Sequence, residues 1–475
     1  MDYSRTYCNP LPIPDYPRGK ACRQPDGGHD FRELADPSVL YHEGKWYLYP
    51  SCGMAWVSED FVSWQHRKMN LDDLGYAPTI VAHRGAFFLT ASSTPIYRGS
   101  TPLGPWEEVG TASGTDSKPL PHFTDPMMFS DDDGRLYMYW GCGAPGIFGV
   151  EMDAGRVNQA LTATTLLFAY NPDHVWERFG EFNEDASTSW CEGPWMLKAR
   201  GRYYLTYAAP GTQWRTYGMG TYVAQSPLGP FVYQQRNPIL RDTEGLVRGP
   251  GHGCLVRGPR DTLWAFYTCT VCYHHVFERR IGLDPAGFDA EGNLFVLGAS
   301  ETPQWAPGML EHPELGNDAG LLPMTQSRQA KASSSAPGRV PLYAVDGSMK
   351  TWWQPAEGDR EPWLEVDLEA TFALSALRVI WSEPNLDYER RIVPAPVRYH
   401  VEVREAPKGP WCLLFDGCEN DTDFPIDYRS FPTRDACAAR LIVKETPAGI
   451  GTGVVDFALF GTTKQPPPGK YGVWK

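Results

Sequence analysis

The sequence predicts an all-β chain, a five-bladed β-propeller followed by a jelly-roll β-sandwich, on three observations. One hairpin pattern recurs five times between Pro37 and Tyr267, and a repeat of that length denotes one small sheet per copy arranged around an axis. Aromatic residues make up 13% of the chain, with 17 Trp, 47 Gly and 43 Pro; that mixture suits short strands and tight turns, and long amphipathic helical patterns are scarce. From about Ser327 onward, apolar and polar residues alternate with a period of two, as in strands that bury one face.

Residues 1 to about 31 are rich in Pro and Gly and read as an extended lead-in over the propeller face, pairing with the last blade to close the ring. The five copies follow: PSVLYHEGKWYLY from Pro37, PTIVAHRGAFFL from Pro78, PMMFSDDDGRLYMY from Pro126, STSWCEGPWMLKARGRYYLTYAA from Ser187 and GCLVRGPRDTLWAFY from Gly253. Each is a short apolar run, a turn of Gly, Asp, Arg or Lys, and an aromatic-rich run, which is how paired strands around a polar turn are written. TPLGPW at Thr101 and SPLGPF at Ser226 repeat as Pro-Gly turns before outer strands. SEDFVSW at Ser58 and DDDG at Asp131 read as structural turns; the latter lacks the spaced oxygen ligands of a calcium loop. The longest insertion, Gly146 to Trp190, contains NPDHVWERFGEF and is predicted to overhang the site and set specificity. These readings divide the chain into a propeller over 1–298, a connector over 299–326 and a sandwich over 327–475.

The bulk properties exclude several partners. A net charge of −14 argues against nucleic acid or an anionic membrane surface as partner, since both need a basic face. No apolar run approaches the roughly 18 residues of a membrane helix, and no secretion signal is visible at the start. Eleven scattered Cys suit reduced thiols better than a disulfide framework, so the expected location is the cytoplasm, or outside the cell if a signal has been removed. CTVC at Cys269 has no second pair and is not read as a zinc site.

In a propeller the innermost strands start at one face, so the residue ahead of each first strand points toward the axis. Those residues are Asp36, Ala77, Asp125, Glu192 and His252. Three carboxylates and a histidine in one funnel need a function, because buried charge is costly without a partner. A carboxylic acid that protonates a leaving oxygen, with a carboxylate that activates water, is the apparatus of glycoside hydrolysis. A third carboxylate keeps the acid protonated by like-charge repulsion.

Four ordered motifs carry a resemblance: ADPSVLY at Ala35, FTDPMMF at Phe123, CEGPWMLKARGRYYLTY at Cys191 and GPGHGCLV at Gly249. Together they resemble glycoside hydrolase family 43. The resemblance implies Asp36 as general base, Asp125 as the residue that tunes pKa and orients, and Glu192 as general acid. It further implies His252 at the floor of the site, beside a possible water-coordinated calcium or sodium ion, with no cofactor required. Arg279, with Arg280 as rival, matches an arginine that contacts substrate or triad; Trp190 and Phe123 are candidates for a hydrophobic wall. AVDGSMKTWWQP at Ala344, WLEVDLEATFALSALRVIW at Trp363 and VVDFALFG at Val454 resemble discoidin-like, F5/8 type C modules, with scaffolding expected before sugar binding. The implied function is an inverting glycosidase acting on an oligo- or polysaccharide and releasing terminal α-L-arabinofuranosyl or β-D-xylosyl units. The alternatives are β-D-galactofuranosidase or endo-arabinanase activity, or a non-catalytic carbohydrate-binding propeller. The sequence sets no oligomeric state.

Overall fold

The computed structural model describes residues 2–20, 30–71, 74–272 and 274–463. Five consecutive segments, 38–68, 79–110, 127–168, 192–241 and 251–296, each fold into one antiparallel sheet, here blades 1 to 5. Within a blade the strands follow chain order from the innermost outward, and blade 4 adds Leu240–Arg241 beside Gly218–Ala224. The first strands touch in sequence, Ser38–His42 to Thr79–His83 to Met127–Ser130 to Glu192–Ala199 to Gly251–Arg257 and back to Ser38–His42, so the ring is closed.

The hairpin chemistry explains the blades. Glu43 with Gly44, Arg84 with Gly85 and Arg200 with Gly201 all have positive φ at both turn centres, the turn whose twist matches that of paired strands. The second strands are continuous apolar runs because neighbouring blades cover both their faces: Ala86–Thr90, Leu136–Trp140 and Leu263–Thr270 are buried at every residue. Aromatic and aliphatic clusters fill the spaces between successive blades. Blade 5 meets blade 1 through Trp46 and Phe61 against Phe266, with ring centroids 6.0 and 5.8 Å apart.

Of the described residues, those within 1–16, 301–306 and 318–463 form a second compact unit, and those within 17–300 and 307–317 form the propeller unit. Within the C-terminal unit the strands from Leu322 to Thr463 form a β-sandwich and belong to one antiparallel sheet, built around the long, bulged strands Trp363–Trp381 and Ile426–Glu445. Trp353 lies at the centre of its core, fully buried, with Nε1 donating to the Ser334 carbonyl at 3.0 Å.

The lead-in differs from the expectation. Residues 2–16 pack within the C-terminal unit because Thr6–Tyr7 finds a strand partner in Gln304–Trp305. The buried Arg378 guanidinium, paired with Asp456 at 2.9 Å, also donates to the Asn9 carbonyl at 2.6 Å. Residues 21–29 lie outside the described residues. Residues 30–36 join blade 5 without adding a strand: Leu34 N donates to Arg279 O at 3.3 Å and Arg280 Nη1 to Arg32 O at 2.9 Å. The expected connector is likewise shared between the two units.

Replacing Trp353 by Ala should destabilise the sandwich by about 3–5 kcal/mol, the usual cost of emptying a buried aromatic site. Chemical denaturation of the full chain followed by fluorescence should show the loss; an unchanged curve would place Trp353 outside the core.

Candidate active site

The backbone sets the site before any side chain does. Asp36, Ala77 and Asp125 stand directly before a proline with φ of 52°, 51° and 51°, a left-handed conformation that Asp tolerates better than most residues. The same amide bond pins each turn: Ser51 N to Ala35 O, Ser92 N to Tyr76 O and Gly141 N to Thr124 O, at 2.9, 2.8 and 2.9 Å. Hydroxyl groups at the ends of second strands then bind the left-handed residue of the next blade. Ser51 Oγ accepts from Ala77 N at 2.9 Å, Ser92 Oγ from Asp125 N at 2.8 Å and Thr268 Oγ1 from Asp36 N at 2.8 Å.

Blade 4 departs from this pattern by one residue. The left-handed position before its proline is Gly193, at φ 59°, so Glu192 stands one residue earlier than Asp36 and Asp125 do. The hairpin register shifts between Glu192 and Trp195, a bulge that accommodates the offset and aims the longer side chain inward. His252, at φ 35°, lies in a similar register shift between Gly251 and Gly253.

Despite the offset, the acids converge. His252 Nδ1 lies 3.4 Å from Asp36 Oδ1 and 3.7 Å from Asp125 Oδ2, and single ligand atoms of Asp125, Cys142 and Glu192 lie within 4.8 Å of one another. Asp36 accepts from Arg279 Nη1 at 3.0 Å and from Ser51 Oγ at 2.6 Å. Burial alone would raise its pKa, but the Arg279 guanidinium, His252 and these donors outweigh it and hold the carboxyl below its ordinary value. Asp125 accepts from Ser92 Oγ at 3.2 Å and Gly193 N at 3.3 Å. Burial pushes it up to about 7, with the Glu192 and Asp36 charges adding to the rise. Glu192 accepts from Tyr217 OH at 2.6 Å and from the Cys142 thiol at 3.2 Å. Burial pushes it too up to about 7, against the pull of those two donors. The site therefore offers one carboxylate held ionised and two buried carboxyls poised near neutrality.

The remaining expectations fall differently. Arg279 is buried, with Nε and Nη2 donating to Glu33 Oε2 at 3.3 and 3.1 Å, so it spans two carboxylates. Arg280 binds Arg32 O and Arg279 O behind the site. Phe123 packs on the core between blades 2 and 3, 6.2 Å from Trp140. Trp190 is half-buried against Phe179 at 5.7 Å, and Phe179 meets Trp214 at 6.0 Å. Much of the expected insertion is blade 3 itself, Ile147–Met152 and Thr165–Phe168. The segment after it is anchored by buried Trp176, whose Nε1 donates to Tyr233 OH at 2.8 Å.

Sequence reasoning missed Glu33, Cys142, Tyr217 and the loop from Gly211 to Tyr217. A Cβ on Gly211 would meet Gln213 Oε1 at 2.8 Å and Trp190 Cε3 at 3.0 Å, so this loop lies close to the acid. Among the described residues, Gln213 Oε1, Trp214 Nε1 and Arg248 Nη1 are buried without a hydrogen-bond partner, an unmet polar capacity close to the acid. Only Ser51, Ser92 and Cys142 carried a readable signal, since each closely follows an aromatic run of the repeat. Among the described residues, the ligand atoms that converge are those of Asp125, Cys142 and Glu192, and a thiol held well above its ordinary pKa by burial and Glu192 is a poor direct ligand for calcium or sodium, which take oxygen.

Residues 28–294 match the family model described as glycosyl hydrolases family 43. The chain is 28% identical over 161 residues to a beta-D-galactofuranosidase, xynD, of Aspergillus niger, covering 32% of this chain and 39% of that protein. It is 25% identical over 319 residues to a beta-xylosidase of Xylanibacter ruminicola, covering 60% and 90%. It is 24% identical over 326 residues to a xylosidase/arabinosidase of Bacteroides ovatus, covering 56% and 94%. The chain thus spans well under half of the fungal relative and nearly all of the two bacterial ones.

Gly193 and Gly201 separate strain from collision. Both have positive φ, 59° and 70°, but a Cβ on Gly193 would meet the His252 ring at 2.7 Å whereas one on Gly201 meets nothing within 4 Å. Gly193→Ala should therefore lower the denaturation midpoint more than Gly201→Ala, and should also shift the His252 ring resonances; equal effects would refute the packing of Gly193 on His252.

Proposed function

The chain belongs to glycosyl hydrolases family 43, and from that premise we propose that it is an inverting exo-glycosidase releasing terminal β-D-xylosyl or α-L-arabinofuranosyl units. The observation that carries this reading is the division of charge: Asp36 is held ionised while Glu192, in the same site, stays protonated to about pH 7. In the reaction Asp36 takes a proton from water, whose oxygen bonds to the anomeric carbon as the glycosidic C–O bond breaks. Glu192 gives its proton to the departing oxygen, so charge does not build up on the leaving group. The charge on Asp36 helps to keep the proton on Glu192, and Asp125 receives Gly193 N–H, which ties it to the backbone that aims the acid.

The pentose assignment is supported by the names of the two bacterial relatives that the chain spans almost completely. The fungal relative, at 28% identity over a shorter stretch, favours a β-D-galactofuranoside as the second substrate reading. Exo action draws support from the anchored segment after blade 3, which brings Phe179 against Trp190, two residues from the acid. For the C-terminal sandwich we propose a discoidin-like scaffold. Trp353 is core, and Trp352 is half-buried beneath the Arg339 guanidinium, 3.2 Å from its ring centroid, so neither ring offers a free face for sugar stacking.

Hydrolysis of nitrophenyl xylosides, arabinofuranosides and galactofuranosides, with the product anomer read by NMR, tests the assignment; a retained anomer or oligomeric products from long arabinan would overturn it. Glu192→Ala should cost several orders of magnitude on substrates with poor leaving groups and far less on activated aryl glycosides. The sign of the pH profile follows from the site. Activity requires Asp36 ionised, so the acid limb lies below the ordinary Asp range. It also requires Glu192 protonated, so activity falls as pH rises through about 7. A profile that climbs through pH 7 would exclude Glu192 as the acid.

A further inference from the structure

Each acid of the site has one side-chain partner supplied from the end of a second strand. Asp36 takes the Ser51 hydroxyl at 2.6 Å, Asp125 the Ser92 hydroxyl at 3.2 Å and Glu192 the Cys142 thiol at 3.2 Å. Ser51 and Ser92 are equivalent, since their amides bind Ala35 O and Tyr76 O; in blade 3 the equivalent residue is Gly141, bound to Thr124 O, and Cys142 follows it. The partner thus moves one residue along the chain in blade 3, and Glu192 moves one residue back in blade 4, so the two offsets meet. A hydroxyl is a strong donor to a carboxylate and a thiol a weak one. The weak donor stands at the one carboxyl that the proposed reaction needs protonated.

We propose that Cys142 is a positioning residue for the general acid: it holds Glu192 Oε2 in place while stabilising its ionised form too little to strip its proton. Tyr217, buried and held well above its ordinary pKa by burial and by Glu192, serves only as a donor to Oε1. With Oε1 taken by the Tyr217 donor, the acidic proton belongs on Oε2, the oxygen beside the Cys142 thiol. The other titratable and charged groups facing this pair are Asp125, Asp36, Arg279, His252 and Cys191. A serine at 142 would donate as Ser51 and Ser92 do. Because a hydroxyl bonds an ionised carboxylate about twice as strongly as a neutral one, it would favour loss of the proton.

This inference rests on Glu192 being the general acid, and the test separates the two. The kcat/KM–pH profile is measured with a poor-leaving-group pentoside for wild type, Cys142→Ser, Cys142→Ala and Glu192→Gln, with folding checked by circular dichroism. Cys142→Ser should move the alkaline limb down by roughly half to one pH unit, part of the roughly one to two units that a full hydrogen bond to a charged group is worth, since the thiol already supplies some of it. Cys142→Ala should move it up or leave it, giving the order Ala, Cys, Ser. With an activated aryl substrate the difference should shrink. If Cys142→Ser leaves the limb in place, or both variants move it in one direction, the inference is overturned. If Glu192→Gln retains the limb, the assignment of the acid itself fails, whatever the Cys142 variants show.

Discussion

Three amide-to-hydroxyl contacts hold the architecture of the site in place: Asp36 N to Thr268, Ala77 N to Ser51 and Asp125 N to Ser92. Each of those residues sits in a left-handed conformation ahead of a proline, a state costing on the order of 1–3 kcal/mol that persists only where its surroundings over-determine it. The neighbouring blade supplies that determination. The hydroxyl that satisfies a backbone amide also donates, Ser51 to Asp36 and Ser92 to Asp125, so the bond that seats one blade on the next also orients an acid. Ala77 shows that the conformation belongs to the fold, because blade 2 adopts it with no acid to present.

Charge is then distributed by one arginine. Arg279 lies between Glu33 and Asp36 and donates to both, yet the two carboxyls respond oppositely. Burial wins at Glu33, which is raised, and the combined donors win at Asp36, which is lowered. The difference has a local cause: Asp36 also has His252 and Ser51, whereas Glu33 adds the Lys20 amide at 3.0 Å and Tyr76 OH at 3.3 Å. Asp36 is thereby held ionised by Arg279, His252 and Ser51, as its proposed role as base requires.

The five hairpins, the ring and the positions of Asp36, Asp125 and His252 were legible in the sequence because they are written locally, in an apolar run, a turn and an aromatic run that repeat. Glu192 was legible as a residue and misplaced by one in phase, since the bulge that shifts it depends on pairing with the strand ending at Ala209, which a linear reading does not weigh. Glu33 and Tyr217 left no local trace: each acts on a residue of another element, through Arg279 in one case and across the loop after blade 4's second strand in the other. The lead-in misled for a related reason. Thr6–Tyr7 is a two-residue strand, too short for a period, and its partner at Gln304–Trp305 lies nearly 300 residues away.

Asp125 and Glu192 share one proton's worth of chemistry. Their ligand atoms lie within 4.8 Å, and two buried carboxylates at that separation repel strongly enough that the loss of a proton from one raises the affinity of the other. The placement of the proton then turns on donors. Asp125 receives a backbone amide, a serine hydroxyl and the proximity of His252, all of which favour its charge. Glu192 receives one phenol and one thiol. Those donors lean the charge toward Asp125, while burial pushes both carboxyls up to about 7 and the Glu192 charge adds to the rise at Asp125, so near neutral pH the pair holds its proton in common. In the proposed reaction, once Glu192 has given up its proton the same repulsion favours regaining one from solvent, so the pairing of the two carboxyls would also reset the acid.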